Sequence, residues 1–584
     1  MKVLPLEIMS RLSKRMTRLY GESMTSQLME RIGLLAGRYA SEGLPAQKPK
    51  RPLWNERDAV LITYGDMIRS PNEKPLISLR RFLSQHLKGA VQTVHILPFC
   101  PYSSDEGFSV IDYRTVDEAL GDWPDIKEIG KEFDLMFDLV LNHVSRQSSW
   151  FIHFVNGIAP DRDYFIEMDP SVDLSDVVRP RASSLLSPTQ TPFGKRCVWT
   201  TFSADQIDLK FSNPDVLFEF LDILLWYVSQ GVRIIRLDAI AYLWKRLGTS
   251  CINLPETHEV VKVLRDVLQM LAPEVILLTE TNLPHEQNIS YFGQGDEAHM
   301  VYQFSLPPLL LHALHTGSTA YLTDWMASWP QLPAGCTFLN FTASHDGIGV
   351  RPLEGLIPES ELAQLIDAMR ERGAHVSSRM NNDTGIESPY ELNITYFDAL
   401  SDPSPSVTEQ HIARFLCSQT IMLALKGIPT IYFHSLTATR NNYRGVANTG
   451  QTRTINRKRW DEAALGAVLK DPASHTARVF YEYVRRLKLR AQHRAFHPDG
   501  AQRLLDLEDG LFGIERIATD GNEKLASISN LTCEPKRLKP GHVLPDWRRR
   551  SQGSGSFQDL LTAAEQTLDT LELGPYESVW LTSP

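Results

Sequence analysis

The chain has 584 residues, more than one ordinary core accommodates and enough for a barrel of roughly 250–400 residues with additions. With 42% hydrophobic and 22% charged residues it has the make-up of a globular enzyme, and a formal net charge of -10 disfavours a nucleic-acid partner, because phosphodiester binding needs a basic face. No run of about 18 apolar residues is present and Lys2, Arg11, Lys14 and Arg15 break up the N-terminus, so neither a membrane span nor a signal peptide is expected.

The six cysteines (Cys100, Cys197, Cys251, Cys336, Cys417, Cys533) form no Cys-x-x-Cys pair and read as buried thiols of a cytoplasmic protein. Residues 1–50 read as a helical extension, with apolar residues three to four apart at Met9, Leu12, Met16 and Leu19, then at Leu28, Ile32 and Leu35. Pro45–Pro52 is a connector. Residues 51–500 alternate short apolar runs with helical segments. The runs are Ala59–Tyr64, Val91–Phe99, Asp134–Leu141, Gly231–Ala239, Glu274–Thr281, Met300–Phe304, Thr337–Ala343 and Gly427–Phe433. Eight strand-then-helix units predict an α/β fold, a (β/α)8 TIM barrel. The long gap after the third run predicts an inserted subdomain at about 160–215, and the gap after the seventh an excursion at about 350–400; both belong over the active face. In residues 501–584 the runs Leu511–Ile517, Leu525–Leu531 and Ser578–Leu581 predict a small C-terminal β-sheet domain, with Gly541–Ser556 as a loop.

Five segments put an ionisable residue at the end of an apolar run, the catalytic face of a barrel. They are Asp105-Glu-Gly-Phe108, Asp138-Leu-Val-Leu-Asn142-His143, Arg236-Leu-Asp238-Ala239, Thr279-Glu280-Thr281-Asn282 and Ser344-His345-Asp346-Gly347. A lone carboxylate at a strand end is ordinarily a helix cap or loop residue, and a lone histidine ordinarily packs. Converging carboxylates are what glycoside chemistry needs: one attacks the anomeric carbon as an anion, and another, about 5–5.5 Å away in retaining enzymes, holds a proton for the leaving oxygen. Arg236 stands two residues before Asp238, on the same face of a strand, where its charge keeps a nucleophile ionised.

Taken in this order, the strand-end motifs resemble glycoside hydrolase family 13, the α-amylase family, over roughly residues 55–460. The resemblance implies Asp238 as nucleophile, Glu280 as general acid/base and Asp346 as the carboxylate that grips substrate hydroxyls and stabilises the transition state. It implies His143 and His345 as sugar-hydroxyl ligands. The stretches beginning at Asp105 and Thr201, His345-Asp-Gly-Ile-Gly-Val, and Gly450-Gln-Thr-Arg453-Thr-Ile-Asn-Arg457 are similar to the sucrose-phosphorylase branch. There, Asp105 and Arg453 are implied to hold the far end of a single glucosyl unit, with Phe108 and Phe202 as apolar platforms and Gln206 and Arg236 among the substrate-site residues. A phosphorylase also needs cations beside the acceptor, and Arg179-Pro-Arg181 is the candidate phosphate site.

The chain departs from sucrose phosphorylases at Asn282, where they carry histidine, and at Ser388-Pro389-Tyr390-Glu391, where they end in Tyr-Gln. Gly248-Thr-Ser-Cys-Ile and the segment from Asp296 are closer to glucosylglycerate and glucosylglycerol phosphorylases. Asn282, Glu387, Tyr390 and Glu391 are then the acceptor-site residues. Glycerate-specific relatives are implied to carry a basic residue where Glu387 stands, so a carboxylate there predicts the neutral acceptor. The expected reaction is 2-O-α-D-glucosylglycerol plus inorganic phosphate to α-D-glucose 1-phosphate and glycerol by double displacement. Glucosylglycerate, then sucrose or sucrose 6'-phosphate, are the alternatives. A hydrolase or transglucosidase would share every catalytic residue, while an inert scaffold would have lost one of Asp238, Glu280 or Asp346. No cofactor or metal is expected, no glycine-rich phosphate loop follows a strand, and the protein is expected to be a monomer or homodimer.

Overall fold

All eight apolar runs enter one closed parallel barrel in this computed structural model, which describes residues 5–42, 52–181, 183–380, 387–402, 406–545, 547, 556–567 and 569–582. The strands are β1 (Val60–Thr63), β2 (Thr93–Ile96), β3 (Asp134–Val140), β4 (Val232–Asp238), β5 (Ile276–Thr279), β6 (Met300–Tyr302), β7 (Thr337–Phe341) and β8 (Ile428–Tyr432). Each lies beside its predecessor, and β8 closes on β1. The strands read as continuous apolar runs because both of their faces are covered, one by helices and the other by the lumen. Alternate residues fill that lumen: Val60, Met136, Ile234, Ile276, Leu278, Met300, Tyr302, Leu339, Phe341 and Ile428 form one cluster, separate from the larger core against the helices.

Two excursions stand on the barrel. Between β3 and β4, His143–Ser145 pairs antiparallel with Gln206–Asp208, and Leu186–Thr191 forms a hairpin with Gly194–Trp199. Between β7 and β8, Glu387–Asn393 is the middle strand of a three-stranded sheet, flanked by Ile348–Gly349 and His375–Met380. The sequence reads Asn381–Glu391 as one loop; from Glu387 onward it is strand, because its backbone finds partners in His375–Met380 and, at Glu391 and Leu392, in Ile348–Gly349 as well.

The N-terminal pattern becomes two helices, α1 (Leu6–Tyr20) and α2 (Glu22–Glu42), separated at Gly21, whose φ of 85° a residue with a Cβ resists. Leu12, Met16, Leu28 and Ile32 are buried. So is Arg15, which donates from Nε to Asp266 Oδ2 at 2.7 Å and from Nη2 to Asp296 Oδ2 at 3.1 Å. At the other end of the chain, Ala501–Leu504, Leu511–Ile517, Lys524–Asn530 and Ser578–Thr582 form a four-stranded antiparallel sheet.

Pro540–Val543 is a helical turn where the sequence reads as loop. Parts of three expected segments lie outside the described residues: 45–51 of the connector, 381–386 of the acceptor loop, and 546 and 548–555 of the 541–556 loop. The expectation of buried thiols holds for Cys100, Cys251, Cys336 and Cys417, but Cys197 is half-buried and Cys533 exposed on the loop after Lys524–Asn530. Among the described residues no helix is long and apolar enough to cross a membrane.

Candidate active site

The lumen file continues upward into charge. Asp138 lies two residues beyond Met136 on β3, and Arg236 and Asp238 extend the file of Ile234 on β4, so strand periodicity points all three the same way. Register sets Asp138 opposite Arg236. The Arg236 Nη1 bonds Asp138 Oδ1 and, at 2.6 Å, Asp238 Oδ1, while its Nη2 stands 3.9 Å from Glu280 Oε2. The second oxygen of Asp138 meets His95 Nε2 at 2.6 Å. Glu280, just past β5, accepts a hydrogen bond of 3.0 Å from the N–H of Ala239, which sits in the left-handed region at φ 49°.

Burial pushes the proton affinity of Asp238 up, and repulsion from Glu280 adds to it against the pull of Arg236. Burial likewise raises Glu280. The two carboxyls therefore retain a proton near neutral pH. Arg236 is in contact with Asp238 and only distant from Glu280, so the proton belongs on Glu280 and the charge on Asp238. Asp138 and Asp346 behave oppositely. Burial opposes their ionisation, but His95 and Arg236 hold Asp138 down at about 2, and Arg453, His345 and Arg457 hold Asp346 well below the usual carboxylate range. Burial keeps His143 and His345 neutral, with His345 stacked on Phe108 at 4.8 Å and 3°.

The pocket above these groups is lined by Asp238, Glu280 and Asp346, and by Asp105, Phe108, His143, Arg181, Phe202, Gln206, Asn282, His345, Tyr390, Glu391 and Arg453. His143 Nε2 contacts the Phe108 carbonyl at 3.0 Å and Gln206 Nε2 at 3.0 Å, while Phe202 packs between His143 and Tyr242 with centroids 5.3 Å from each. Asn282 presses on Gly349, where an added Cβ would come within 2.5 Å of its Oδ1.

Two sequence-based placements need correction, those of Arg179 and Glu387. Asp105 lines the pocket, and so does Arg453. Its Nη1 lies 2.6 Å from Asp346 Oδ1 and its Nη2 3.1 Å from Glu391 Oε1, and the cation facing Asp105 Oδ1, at 3.6 Å, is Arg457. Of the Arg179-Pro-Arg181 pair only Arg181 lines the pocket, 3.7 Å from Glu391 Oε2 and with its guanidinium 5.4 Å from the Tyr390 ring centre; Arg179 is half-buried and not among the lining residues. Glu387 is exposed and outside the lining, four residues along an extended strand from Glu391, or about 13 Å. Tyr390 and Glu391, by contrast, both reach the pocket although they are consecutive. The strand is bulged there: Ser377 pairs with Glu391 and Ser378 with Pro389, leaving Tyr390 as the extra residue.

Tyr242 and Arg457 line or brace the site and were missed from the sequence. Arg457 ends a stretch whose importance is legible, but the partner of each arginine there depends on how two distant loops meet.

An α-amylase catalytic-domain model matches residues 86–346. Glucosylglycerate phosphorylase of Spirochaeta thermophila is 43% identical over 552 residues, covering 93% of this chain and 92% of its own length. The chain belongs to the α-amylase family, glycoside hydrolase family 13. Glucosylglycerol phosphorylase of Marinobacter adhaerens is 30% identical over 409 residues, with 68% of this chain and 80% of that protein covered. Among solved structures, the sucrose 6F-phosphate phosphorylase of Thermoanaerobacter thermosaccharolyticum superposes with a TM-score of 0.71 at 25% identity, covering 83% of this chain and 94% of that one. This family member is thus a glycosyl-transferring enzyme, a phosphorylase of the sucrose-phosphorylase type.

Proposed function

We propose that this phosphorylase converts α-glucosylglycerate and inorganic phosphate into α-glucose 1-phosphate and glycerate. The observation that carries the choice of acceptor is the state of Glu391. It is buried and bonded to Arg453 and, at 2.6 Å, to the N–H of Gly347, so its charge is neutralised within the protein and Arg181 remains as a cation at the same wall. A carboxylate entering there meets the Arg181 guanidinium rather than an unpaired acid. Glu387, whose charge favoured glycerol in the sequence, is exposed and too far along its strand to repel it. The higher identity and fuller coverage of the glucosylglycerate-specific relative point the same way.

In this reading the ionised Asp238 attacks the anomeric carbon while Glu280 gives its proton to the departing glycerate oxygen. Phosphate then enters beside Arg181 and loses a proton to Glu280 as its oxygen displaces Asp238; two inversions retain the α configuration. Asp346, fixed as an anion by Arg453 and Arg457, takes the sugar hydroxyls and stabilises positive charge at the ring. The neutral His143 and His345 bond further hydroxyls, Phe108 and Phe202 sandwich the ring, and Asp105 with Arg457 closes the far end. Gln206, Asn282 and Tyr390 complete the substrate contacts.

The test is synthesis in reverse. With glucose 1-phosphate as donor, glycerate should release phosphate with a kcat/KM at least about tenfold above glycerol, fructose or fructose 6-phosphate, since a charge-assisted bond to the acceptor is worth roughly that factor or more. Preference for glycerol would return the substrate to glucosylglycerol.

A further inference from the structure

Beyond β2 the chain turns through three consecutive residues of positive φ: Asp105 at 49°, Glu106 at 47° and Gly107 at 113°. Glycine adopts this conformation freely, but Asp105 and Glu106 are strained in it, and such a turn persists only where its surroundings hold it. Packing does not hold Asp105. It lines the active-site pocket on one side and, with Ser104, Glu106, Arg453 and Arg457, a second cavity on the other. The Arg457 Nη1 that faces it is 3.6 Å away, beyond hydrogen-bond range.

The turn is gripped instead by one carboxylate from the insertion after β3. Ser103 and Ser104 precede the turn and Ser109 follows it, and the hydroxyls of all three donate to the same oxygen, Asp205 Oδ2, from Ser104 at 2.6 Å and from Ser109 at 2.9 Å. Ser109 Oγ also donates to the main-chain carbonyl of Asp205 at 2.9 Å. Hydrogen bonds to an ionised carboxylate are roughly twice as strong as those between neutral groups, so both legs of the turn are fastened to the insertion. Phe108, the next residue, is secured separately, buried and stacked on His345 at 4.8 Å. Asp105 is therefore the pocket residue whose position depends on this grip.

Resting on the placement of Asp105 at the far end of the glucosyl unit, we propose that Asp205 is a positioning residue for the donor: by gathering three serines on one oxygen it holds the strained turn closed and keeps the Asp105 carboxylate on the sugar. Asp205 itself is not among the residues lining the pocket, so it acts through Asp105. Its effect falls on the arrival of the donor and not on the acceptor, because the glucosyl unit is already attached to Asp238, with its contacts made, when the acceptor enters.

The experiment measures kcat/KM for glucose 1-phosphate, and for whichever of glycerate, glycerol and fructose the wild type uses best, in the wild type, Asp105→Ala, Asp205→Ala, Asp205→Asn and the double variant Asp105→Ala with Asp205→Ala. Asp105→Ala is read first: if it uses glucose 1-phosphate as well as the wild type does, Asp105 does not hold the donor, and both that placement and this inference fall. Given a loss there, Asp205→Ala should lower the glucose 1-phosphate value by on the order of tenfold and leave the acceptor value within about twofold. The double variant should match Asp105→Ala within about twofold, because a residue that acts through Asp105 then has nothing left to position. Asp205→Asn, whose side-chain carbonyl still accepts from the serines, should fall between Asp205→Ala and the wild type, and carries the same comparison should the alanine variant not fold. Losses that multiply in the double variant, equal losses for donor and acceptor, or unchanged donor use without the Asp205 carboxylate would each overturn the assignment and leave the reading of the donor site standing.

Discussion

At the scale of single residues, the site rests on two carboxyls with one proton between them, and a guanidinium that touches only one. Asp238→Asn should lower kcat/KM by at least about a thousandfold while circular dichroism stays native; substantial residual phosphorolysis would remove Asp238 as nucleophile. Glu280→Gln should cripple transfer from glucosylglycerate yet spare donors with good leaving groups, and azide should restore their turnover; equal loss for every donor contradicts the acid/base role. The pair also makes a stability prediction. Its proton affinity is raised on folding, so the folded state binds the proton more tightly than the unfolded chain. Stability from this source is therefore present at low pH and is lost as pH rises past the unfolded carboxyl value of about 4 toward the folded one. Asp238→Asn removes that loss, and its melting temperature should exceed the wild type's by a margin that widens from pH 5 to pH 8. A constant margin would show that the pair is not proton-linked to folding. Asp238 and Glu280 were legible in the sequence because each ends an apolar run and the strand-end motifs resemble those of the family, and Arg236 because strand periodicity puts it on the face of Asp238. The partners of Arg453 and Arg457 were not, since the segment holding both must meet loops more than a hundred residues away. Glu387 and Glu391 look equivalent in a line of acids, and only the pairing of their strand separates the exposed one from the buried one.

At the scale of elements, the barrel strands were legible because each is a run of buried apolar residues ending in charge. The bulge that turns both Tyr390 and Glu391 inward was not, for it is a property of two strands pairing out of step. The N-terminal helices show the same division. Their apolar spacing predicts helix, but Arg15 reads as one more basic residue until α1 lies against helix Pro255–Leu271 and the side chain disappears beside Asp266. Asp266 is held by Arg15 and, at 2.7 Å, by Arg11, so Arg15→Ala removes one of its two cations and should lower stability by about 2 kcal/mol, read as a fall in melting temperature. The kinetic constants of the surviving folded enzyme should be unchanged; a specific loss of activity without a change in melting would mean that α1 acts on the site directly.

At the scale of the whole molecule, the barrel supplies the fixed machinery at its mouth, and the two excursions, after β3 and after β7, supply the walls that admit the acceptor. Arg181 comes from one, and Tyr390 and Glu391 from the other. The chemistry belongs to the family, and the choice of acceptor to the meeting of these insertions. The most direct measurement follows α-glucosylglycerate and phosphate with the wild-type enzyme by proton and phosphorus NMR, assigning the anomer formed first. Double displacement at Asp238 and Glu280 predicts α-glucose 1-phosphate and free glycerate in equal amounts. β-Glucose 1-phosphate, or free glucose in place of the phosphate ester, would contradict it.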